Sequence, residues 1–248
     1  MDNSTYVSIS LASAMRRALE VSANNMANAN TAGFKGERVV FESYMHTESG
    51  SGDGTSFVLD KGSYLDGTQG TITHTGNPLD VAVQGDGWLS YLTPTGQRAY
   101  GRDGHLTVDA QGNLMTLSGA RVLDAGGGPI ALPPDLNGEV TISADGAITT
   151  PQGDVIAALG LFDVPEIQSF ERIGAGMFVP PGEGDLPQPV PAIGTTVVQG
   201  AVEGSNVEPI VEMTRMMDIQ KAYERSVKLM GSEDDLRKDA LRRLGQTT

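Results

Sequence analysis

The three histidines are the first residues to weigh as metal ligands or catalytic bases. They are His46, His74 and His105, and roughly thirty residues separate each from the next. None stands in the His-Glu-x-x-His or His-x-His spacing that would bring two imidazoles to one metal ion. We therefore expect no metal site, and we interpret the histidines as solvated loop or strand residues.

Other patterns that carry chemistry are missing as well. The chain has no cysteine, no Gly-x-Ser-x-Gly elbow and no Walker loop. The glycine-rich residues 50–54 lack the flanking strand and helix that a phosphate site requires. The Asp-Gly pairs lack the spacing of an EF-hand and are better explained as hairpin turns. We expect no cofactor and no catalytic residues.

One enzymatic alternative stays open at this point. Residues 47–198 carry eighteen acidic side chains, and two of them could form the carboxylate pair of a glycosidase that acts on the cell wall. Aromatic residues make up 5% of the chain and include a single tryptophan, Trp88. That composition disfavours a cleft in which sugars stack, and a soluble binding module is a third class to consider.

The charge distribution divides the chain into three parts. Residues 1–46 are neutral overall and residues 199–248 carry a net charge of −1, whereas residues 47–198 carry −13. The central part also holds 26 of the 32 glycines and 12 of the 13 prolines. The total of −14 argues against nucleic-acid binding. We expect two near-neutral ends to flank an acidic, turn-rich centre.

The N-terminal part predicts an amphipathic helix from about Tyr6 to Asn28. Apolar and small side chains recur on one face at spacings of three and four, namely Leu11, Met15, Ala18, Leu19, Ser22 and Met26. Gly33 supplies a left-handed position for a C-cap near the helix end. Phe34 then anchors the chain that follows.

The central part predicts short strands joined by tight turns. Turn residues recur at Asp86-Gly87, Asp103-Gly104, Gln111-Gly112-Asn113, Asn137-Gly138, Asp145-Gly146 and Gln152-Gly153. The runs between them include 80–84, 105–108 and 155–161, and residues 180–191 form a proline-rich, extended connection. This pattern indicates an irregular all-β domain.

The C-terminal part predicts a long helix that begins at Pro209 and ends near Met230. Its apolar seam consists of Ile210, Met213, Met216 or Met217, Gln220, Tyr223, Val227 and Met230. Gly231 is expected to interrupt this helix. Ser232 and Asp235 resemble a capping box that would open a second, short helix.

Neither terminal helix can bury its apolar stripe alone, so we expect the two to pair. The predicted fold class is α+β: a coiled-coil-like core domain from residues 1–46 and 199–248, with a central β domain over residues 47–198. The chain has no run of about 18 apolar residues, so we expect no membrane-spanning helix. Residues 1–10 lack the features of a signal peptide, and export would need another route.

Four segments resemble the sequence motifs of one known family. Residues 24–35, NNMANANTAGFK, resemble the family pattern ANN(I/L/M)ANxNTxGFK. Residues 76–88, GNPLDVAVQGDGW, resemble GNPLDLAIxGxGFF, with Trp88 in place of the usual phenylalanine. Residues 100–114 resemble a Y(T)RxGxFxxDxxGxLV block. Residues 199–224 resemble QGxLExSNVxxxxEMxxMIxxQRAYE, with Val202 and Lys221 as mild departures.

Together these segments resemble the bacterial flagellar rod, hook and hook-associated proteins. The resemblance implies a structural subunit of the flagellar basal-body rod and no enzyme. Family members assemble with their own copies and with other rod proteins into a hollow, torque-transmitting shaft around an export channel. They leave the cell unfolded through the flagellar type III apparatus, without a cleaved signal peptide, and build the periplasmic rod. The length and the opening residues are most similar to proximal rod members, and the distal rod protein is the alternative.

The resemblance also suggests which residues contact other subunits. We expect the asparagines of residues 24–30 to fix the helix end against adjacent chains, because an amide donates and accepts hydrogen bonds at once. Capping of their own helix and loop is the alternative. The predicted subunit interface comprises Leu11, Met15, Ala18, Ser22, Asn24, Asn25, Met26, Asn28, Asn30, Gly33, Phe34, Ser205, Asn206, Val207, Met213, Met217, Gln220, Tyr223, Val227 and Met230.

Overall fold

The computed structural model describes residues 3–46, 55–133, 136, 139–182 and 188–245. The chain forms two compact units. The first, the helical unit, comprises Met1–Ala27, Glu37–Leu65 and Glu208–Thr248. The second, the β unit, comprises Asn28–Gly36 and Asp66–Val207. An N-terminal helix, a β-rich centre and a C-terminal helix confirm the α+β class.

The helical unit contains two helices and one hairpin. They are α1 (Asn3–Ala27), α2 (Pro209–Gly245), β1 (Glu37–His46) and β2 (Thr55–Leu65). Helix α1 contacts α2 and both strands of the hairpin. Ser22, near the end of α1, and Glu212, near the start of α2, line one cavity, so the helices run antiparallel. Within the described residues, neither helix is long and apolar enough to cross a membrane.

Helix α2 is continuous, which corrects the predicted break at Gly231. The helix runs without interruption for 37 residues. The hydroxyl of Ser232 does not cap a new helix but donates to the carbonyl of Leu229, 2.9 Å away. A glycine inside a helix costs only about 1 kcal/mol, which the helix-forming residues on both sides outweigh.

The domain limits also differ from those expected at residues 46 and 198. Strand β2 pairs along β1 and belongs to the helical unit, whereas residues 199–207 belong to the β unit. A bulge between Val39 and Phe41 shifts the register where Gly62 takes a φ of 98°. The two strands therefore continue to pair on both sides of the bulge at Gly62. From the sequence alone, this glycine could equally indicate a turn.

The β unit is built from short antiparallel strands. They are β3 (Ile72–His74), β4 (Val81–Gln84), β5 (Trp88–Leu92), β6 (Arg98–Gly101), β7 (Leu106–Val108), β8 (Leu114–Thr116), β9 (Arg121–Val122), β10 (Thr141–Ile142), β11 (Ala147–Thr149), β12 (Val155–Ala158), β13 (Leu161–Asp163), β14 (Glu171–Ile173), β15 (Met177–Val179), β16 (Val190–Pro191), β17 (Thr196–Gln199) and β18 (Ala201–Glu203). The largest sheet has the order β14-β15-β6-β5-β9-β8-β7, and β13 pairs with β5 and β16. Strands β10-β11-β12 form another sheet.

The first and last strands of the β unit pair with each other. Strand β17 pairs with β4 and strand β18 pairs with β3, both antiparallel. These strands carry two segments that resemble the flagellar family, 76–88 and 199–207. The β unit is therefore closed by residues that lie more than a hundred positions apart in the chain.

One turn geometry recurs along the β unit. The fourth residue is a glycine that donates its N–H to the first carbonyl, and the first residue donates back to the fifth. The glycines have φ between 81° and 94°, as the left-handed position demands. The turns are Thr93–Gln97, Asp109–Asn113, Thr116–Ala120, Asp124–Gly128, Ser143–Ala147 and Thr150–Asp154.

The turns predicted at Gly112, Gly146 and Gly153 are members of this set. Asp103-Gly104 instead connects β6 to β7, where a side chain on Gly104 would lie 1.7 Å from the carbonyl oxygen of Val81. The predicted strand over residues 155–161 is split into two, Val155–Ala158 and Leu161–Asp163. Gly160 lies between them, where a side chain would collide with Ser90. Asn137-Gly138 and part of the proline-rich connection lie outside the described residues.

Candidate functional site

A buried charge cluster lies in the β unit, where two segments of the flagellar resemblance meet. Lys35 and Glu203 are fully buried, and the Lys35 ammonium lies 2.6 Å from a Glu203 carboxylate oxygen. The same ammonium donates to the carbonyl of Thr68 at 2.7 Å. The Glu203 oxygen also accepts the N–H of Gly70 at 2.9 Å. The cluster thus ties the chain ends of the β unit to its interior.

Arg102 completes the cluster from the central sheet. Its guanidinium lies 3.4 Å from the second oxygen of Glu203 and donates to the carbonyl of Gly85 at 2.6 Å. It also stands 5.0 Å from the centroid of the Trp88 ring. Burial lowers the pKa of Lys35 from its usual value, and the hydrogen bond and charge of Glu203 partly offset that effect.

Gly33 and Phe34, which precede Lys35, are also held by close contacts. Gly33 has a φ of 65°, and a side chain there would lie 2.2 Å from the backbone of Arg102. Phe34 is buried beneath the guanidinium of Arg172, which stands 4.6 Å from its ring centroid. Gly33 and Phe34 therefore pack within the β unit. Helix α1 ends at Ala27, so Gly33 does not cap it as predicted. A contact of these two residues with another subunit remains a prediction.

Asn206 ties three segments of the β unit together. Its side-chain oxygen accepts the N–H of Gly36 at 2.7 Å, and its amide nitrogen donates to the carbonyls of Asp66 and Thr68. The neighbouring Ser205 hydroxyl accepts the N–H of Val207 at 3.1 Å. Ser205, Asn206 and Val207 are half-buried. The amide of Asn206 is therefore a cross-link within the chain.

Asn25 has an equivalent role in the helical unit. It is buried, its amide nitrogen donates to the carbonyl of Glu37 at 2.8 Å, and its oxygen accepts the N–H of Glu37 at 2.9 Å. Both halves of the amide are thus used inside the chain, on the backbone of β1. A contact of these asparagines with another subunit remains a prediction. Asn24 and Asn30 are exposed, and the Asn28 oxygen accepts the hydroxyl of Thr31 at 3.2 Å.

The face of α1 that is buried consists of small residues. Ala14, Ala18, Ser22 and Asn25 are buried, whereas the larger Leu11, Met15 and Met26 are only half-buried. Small side chains allow another backbone to approach closely. Predicted residues Ala18 and Ser22 therefore contribute to packing within the helical unit itself.

The predicted apolar seam of α2 lies mostly on the outside of the helical unit. Its exposed members are Met213, Met217, Gln220, Tyr223 and Val227, and Met230 is half-buried. Ile210 is 82% exposed and Met213 is 53% exposed. The buried residues of α2 are Glu212 and Ser226, both polar. An apolar helix face of this extent is unusual on a protein that remains a monomer.

Sequence reasoning missed Lys35, Arg102 and Glu203. Each stands inside a segment that resembles the flagellar family, and that was the available signal. Lone charged residues are rarely fully buried, so their types alone suggested solvated positions. His74 and His105 lie in or beside strands, and among the described residues no three metal-ligating side chains are grouped.

Comparison with known families matches the same segments. Residues 6–35 match the family described as flagella basal body rod protein. Residues 82–150 match the flagellar hook protein FlgE/F/G D1 domain. Residues 198–243 match the C-terminal family of the flagellar basal body rod FlgEFG proteins. The chain belongs to the flagellar basal-body rod protein family.

Full-length relatives carry the similarity across the whole chain. The flagellar basal-body rod protein FlgF of Caulobacter vibrioides is 38% identical, with 99% of both chains covered. FlgF of Mesorhizobium japonicum is 39% identical over the same share. The flagellar basal-body rod protein FlgG of Caulobacter vibrioides is 30% identical and covers 88% of this chain. Within the family the chain is thus most like the FlgF proteins.

Proposed function

We propose that this protein is a structural subunit of the proximal flagellar rod. It assembles with its own copies and with other rod proteins through its terminal helices, as a coiled-coil-like core around the export channel. Its work is mechanical, because a stiff hollow shaft transmits torque and lets exported subunits pass. The observation that carries the proposal is the exposed apolar face of α2, together with the family membership.

A difference between the β unit and the helical unit supports this proposal. The β unit pairs its buried Lys35 and Arg102 with Glu203 inside its own fold, so this cluster forms within a single chain. The helical unit keeps Met213, Met217, Tyr223 and Val227 exposed, and each would gain free energy by contact with another chain. Burial of such a side chain is worth about 1.5 to 3 kcal/mol. Assembly through this face is heterologous, with different patches of each copy in contact.

The remaining parts of the proposal follow from the family. The subunit carries no catalytic site and no cofactor, resides in the periplasmic basal body, and is exported by the flagellar type III apparatus without a cleaved signal peptide. The proximal position is favoured over the distal one because the FlgF relatives align over nearly the full chain, whereas the FlgG relatives align over 88% of it.

Hydrogen exchange on the purified chain tests the proposal directly. We expect fast exchange in residues 208–245 and strong protection in residues 75–170 while the chain is alone. After assembly, the protection should extend along both helices. Equal protection of the helical unit and the β unit in the isolated monomer would contradict assembly through unsatisfied helices.

A pair of substitutions tests the predicted amide contacts in the same assembly. Asn25→Ala with Asn28→Ala should impair assembly and leave the β unit folded. The single Asn25→Ala variant serves as the control for loss of the Glu37 hydrogen bonds within the chain. If the double variant assembles like the wild-type chain, the amides have no part in subunit contact.

A further inference from the structure

The helical unit contains a cavity of about 320 Å³ where the end of α1 meets the start of α2. Ser22, Glu212, Arg215 and Tyr64 contribute to its wall. Two of its polar atoms, Ser22 Oγ and Glu212 Oε1, are buried and have no hydrogen-bond partner among the residues that the structure describes. The cavity wall also contains Arg38, yet one carboxylate oxygen and one hydroxyl in it remain without a hydrogen-bond partner in the described part of the chain.

The position of Glu212 needs more than the helix dipole to explain it. A carboxylate in the first turn is favoured by the positive end of the helix, but an exposed side chain would gain the same benefit. The Glu212 side chain is only 7% exposed, and its other oxygen lies 3.2 Å from Arg215. A buried, half-satisfied carboxylate is unfavourable, and a second cationic donor would satisfy it.

A donor of that kind stands at the other end of α2. Helix α1 has 25 residues and α2 has 37, so about three turns of α2 extend beyond α1. In this end segment, residues 236–245, four basic side chains accompany one acidic side chain. Leu236, Leu241 and Leu244 are about 70% exposed there, and Arg242 and Arg243 are exposed in the last turn.

We propose that the Glu212 cavity receives Arg242 from a second copy of this chain, in a head-to-tail contact between helical units. The proposal rests on the assembly function and names the two surfaces that meet. A guanidinium can donate to Glu212 Oε1 and Ser22 Oγ together, since its donors form a planar fork. The exposed leucines of the same end segment enter the adjoining apolar groove beside Ile210 and Val211.

Charge complementarity selects this occupant and this direction. Residues 208–224 carry four acidic and two basic side chains, the reverse of the end segment. Two like ends would repel each other, whereas the start of one α2 attracts the end of another. A contact between unlike ends leaves each copy with one free cavity or one free end, so it continues as an open helical assembly.

Charge reversal in the full-length chain tests the pairing. The variants are Glu212→Lys, the isosteric Glu212→Gln, and Arg242→Glu. Matched controls change the same charges at exposed positions of α2, namely Glu224→Lys and Arg225→Glu. Sedimentation velocity over a protein concentration series measures self-association, and Trp88 fluorescence with circular dichroism checks folding.

We expect Glu212→Lys and Arg242→Glu each to self-associate about tenfold more weakly than the wild-type chain, and Glu212→Gln to be weakened as well. An equimolar mixture of the two reversed proteins should recover association to within about threefold of wild type, and both controls should stay in that range. A mixture as weak as its components, or reversed variants that associate normally, would refute the pairing. A wild-type chain that stays monomeric throughout would overturn the assembly proposal itself.

Discussion

Replacement of one member of the buried charge cluster should destabilise the β unit far more than loss of a surface charge. Lys35→Met keeps the length of the side chain and removes the ammonium. Glu203 then retains Arg102 at 3.4 Å and the N–H of Gly70 at 2.9 Å. We therefore expect the low end of the range for a broken buried pair, about 3 kcal/mol.

Glu203→Gln should be worse, because it leaves two buried cations, Lys35 and Arg102, without their shared carboxylate. The expected cost is about 5 kcal/mol. The double variant loses one charge of each sign, so its cost should be about 5 to 6 kcal/mol instead of the additive ~8 kcal/mol. The difference between the additive cost and the measured cost of the double variant is the coupling free energy of the two side chains.

Urea unfolding followed by tryptophan fluorescence is the assay. Trp88 is the single tryptophan of the chain and lies beside Arg102 in the β unit, so its emission reports this unit. Arg121→Met, an exposed cation in β9, is the control and should change stability by less than about 0.5 kcal/mol. Losses below about 1 kcal/mol for Lys35→Met, or strictly additive losses, would refute the cluster as an interacting unit.

Three further changes probe the fold. Gly33→Ala should cost at least about 2 kcal/mol in urea unfolding, because its φ of 65° and the 2.2 Å contact both oppose a side chain; Gly96→Ala, with positive φ and open space, should cost less. Gly231→Ala should raise helix stability by about 0.5 to 1 kcal/mol if α2 is continuous, and lower it if the helix ends there. Burial raises the pKa of Asp103 above its usual 3.8, so the stability it provides at low pH is lost as pH rises through that window. Asp103→Asn should match the wild-type chain at about pH 3 and exceed it above the window in thermal melts, and a constant difference would contradict this reasoning.

The sequence was sufficient for the elements that depend on local pattern. Both terminal helices and the β-rich centre follow from hydrophobic periodicity and from glycine turns. Spacings of 3.6 and two residues can be recognised in the sequence without knowledge of long-range contacts. Gly231 and Ser232 misled the same reasoning, since each is a local stop or start signal. Their small penalties were overridden by the rest of a 37-residue helix.

The charge cluster could not be predicted in this way. Lys35 and Glu203 are 168 residues apart, and no periodicity connects them. Hydrophobic patterning also assigns charged residues to the surface, which is the opposite of what the β unit does here. The limits of the helical unit were missed for a related reason: β2 belongs to it through pairing with β1, and register is a long-range property.

The two units differ in the apolar surface that they expose, and this contrast bears on how the chain is used. The β unit pairs the buried Lys35 and Arg102 with Glu203 inside its own fold. The helical unit buries Ser22, Asn25 and Glu212 and exposes methionine and leucine. Such an arrangement is costly for a single chain in water and becomes favourable once another chain covers it. Stability that depends on neighbours is therefore concentrated in the helices, and their free energy of folding should rise with each subunit added.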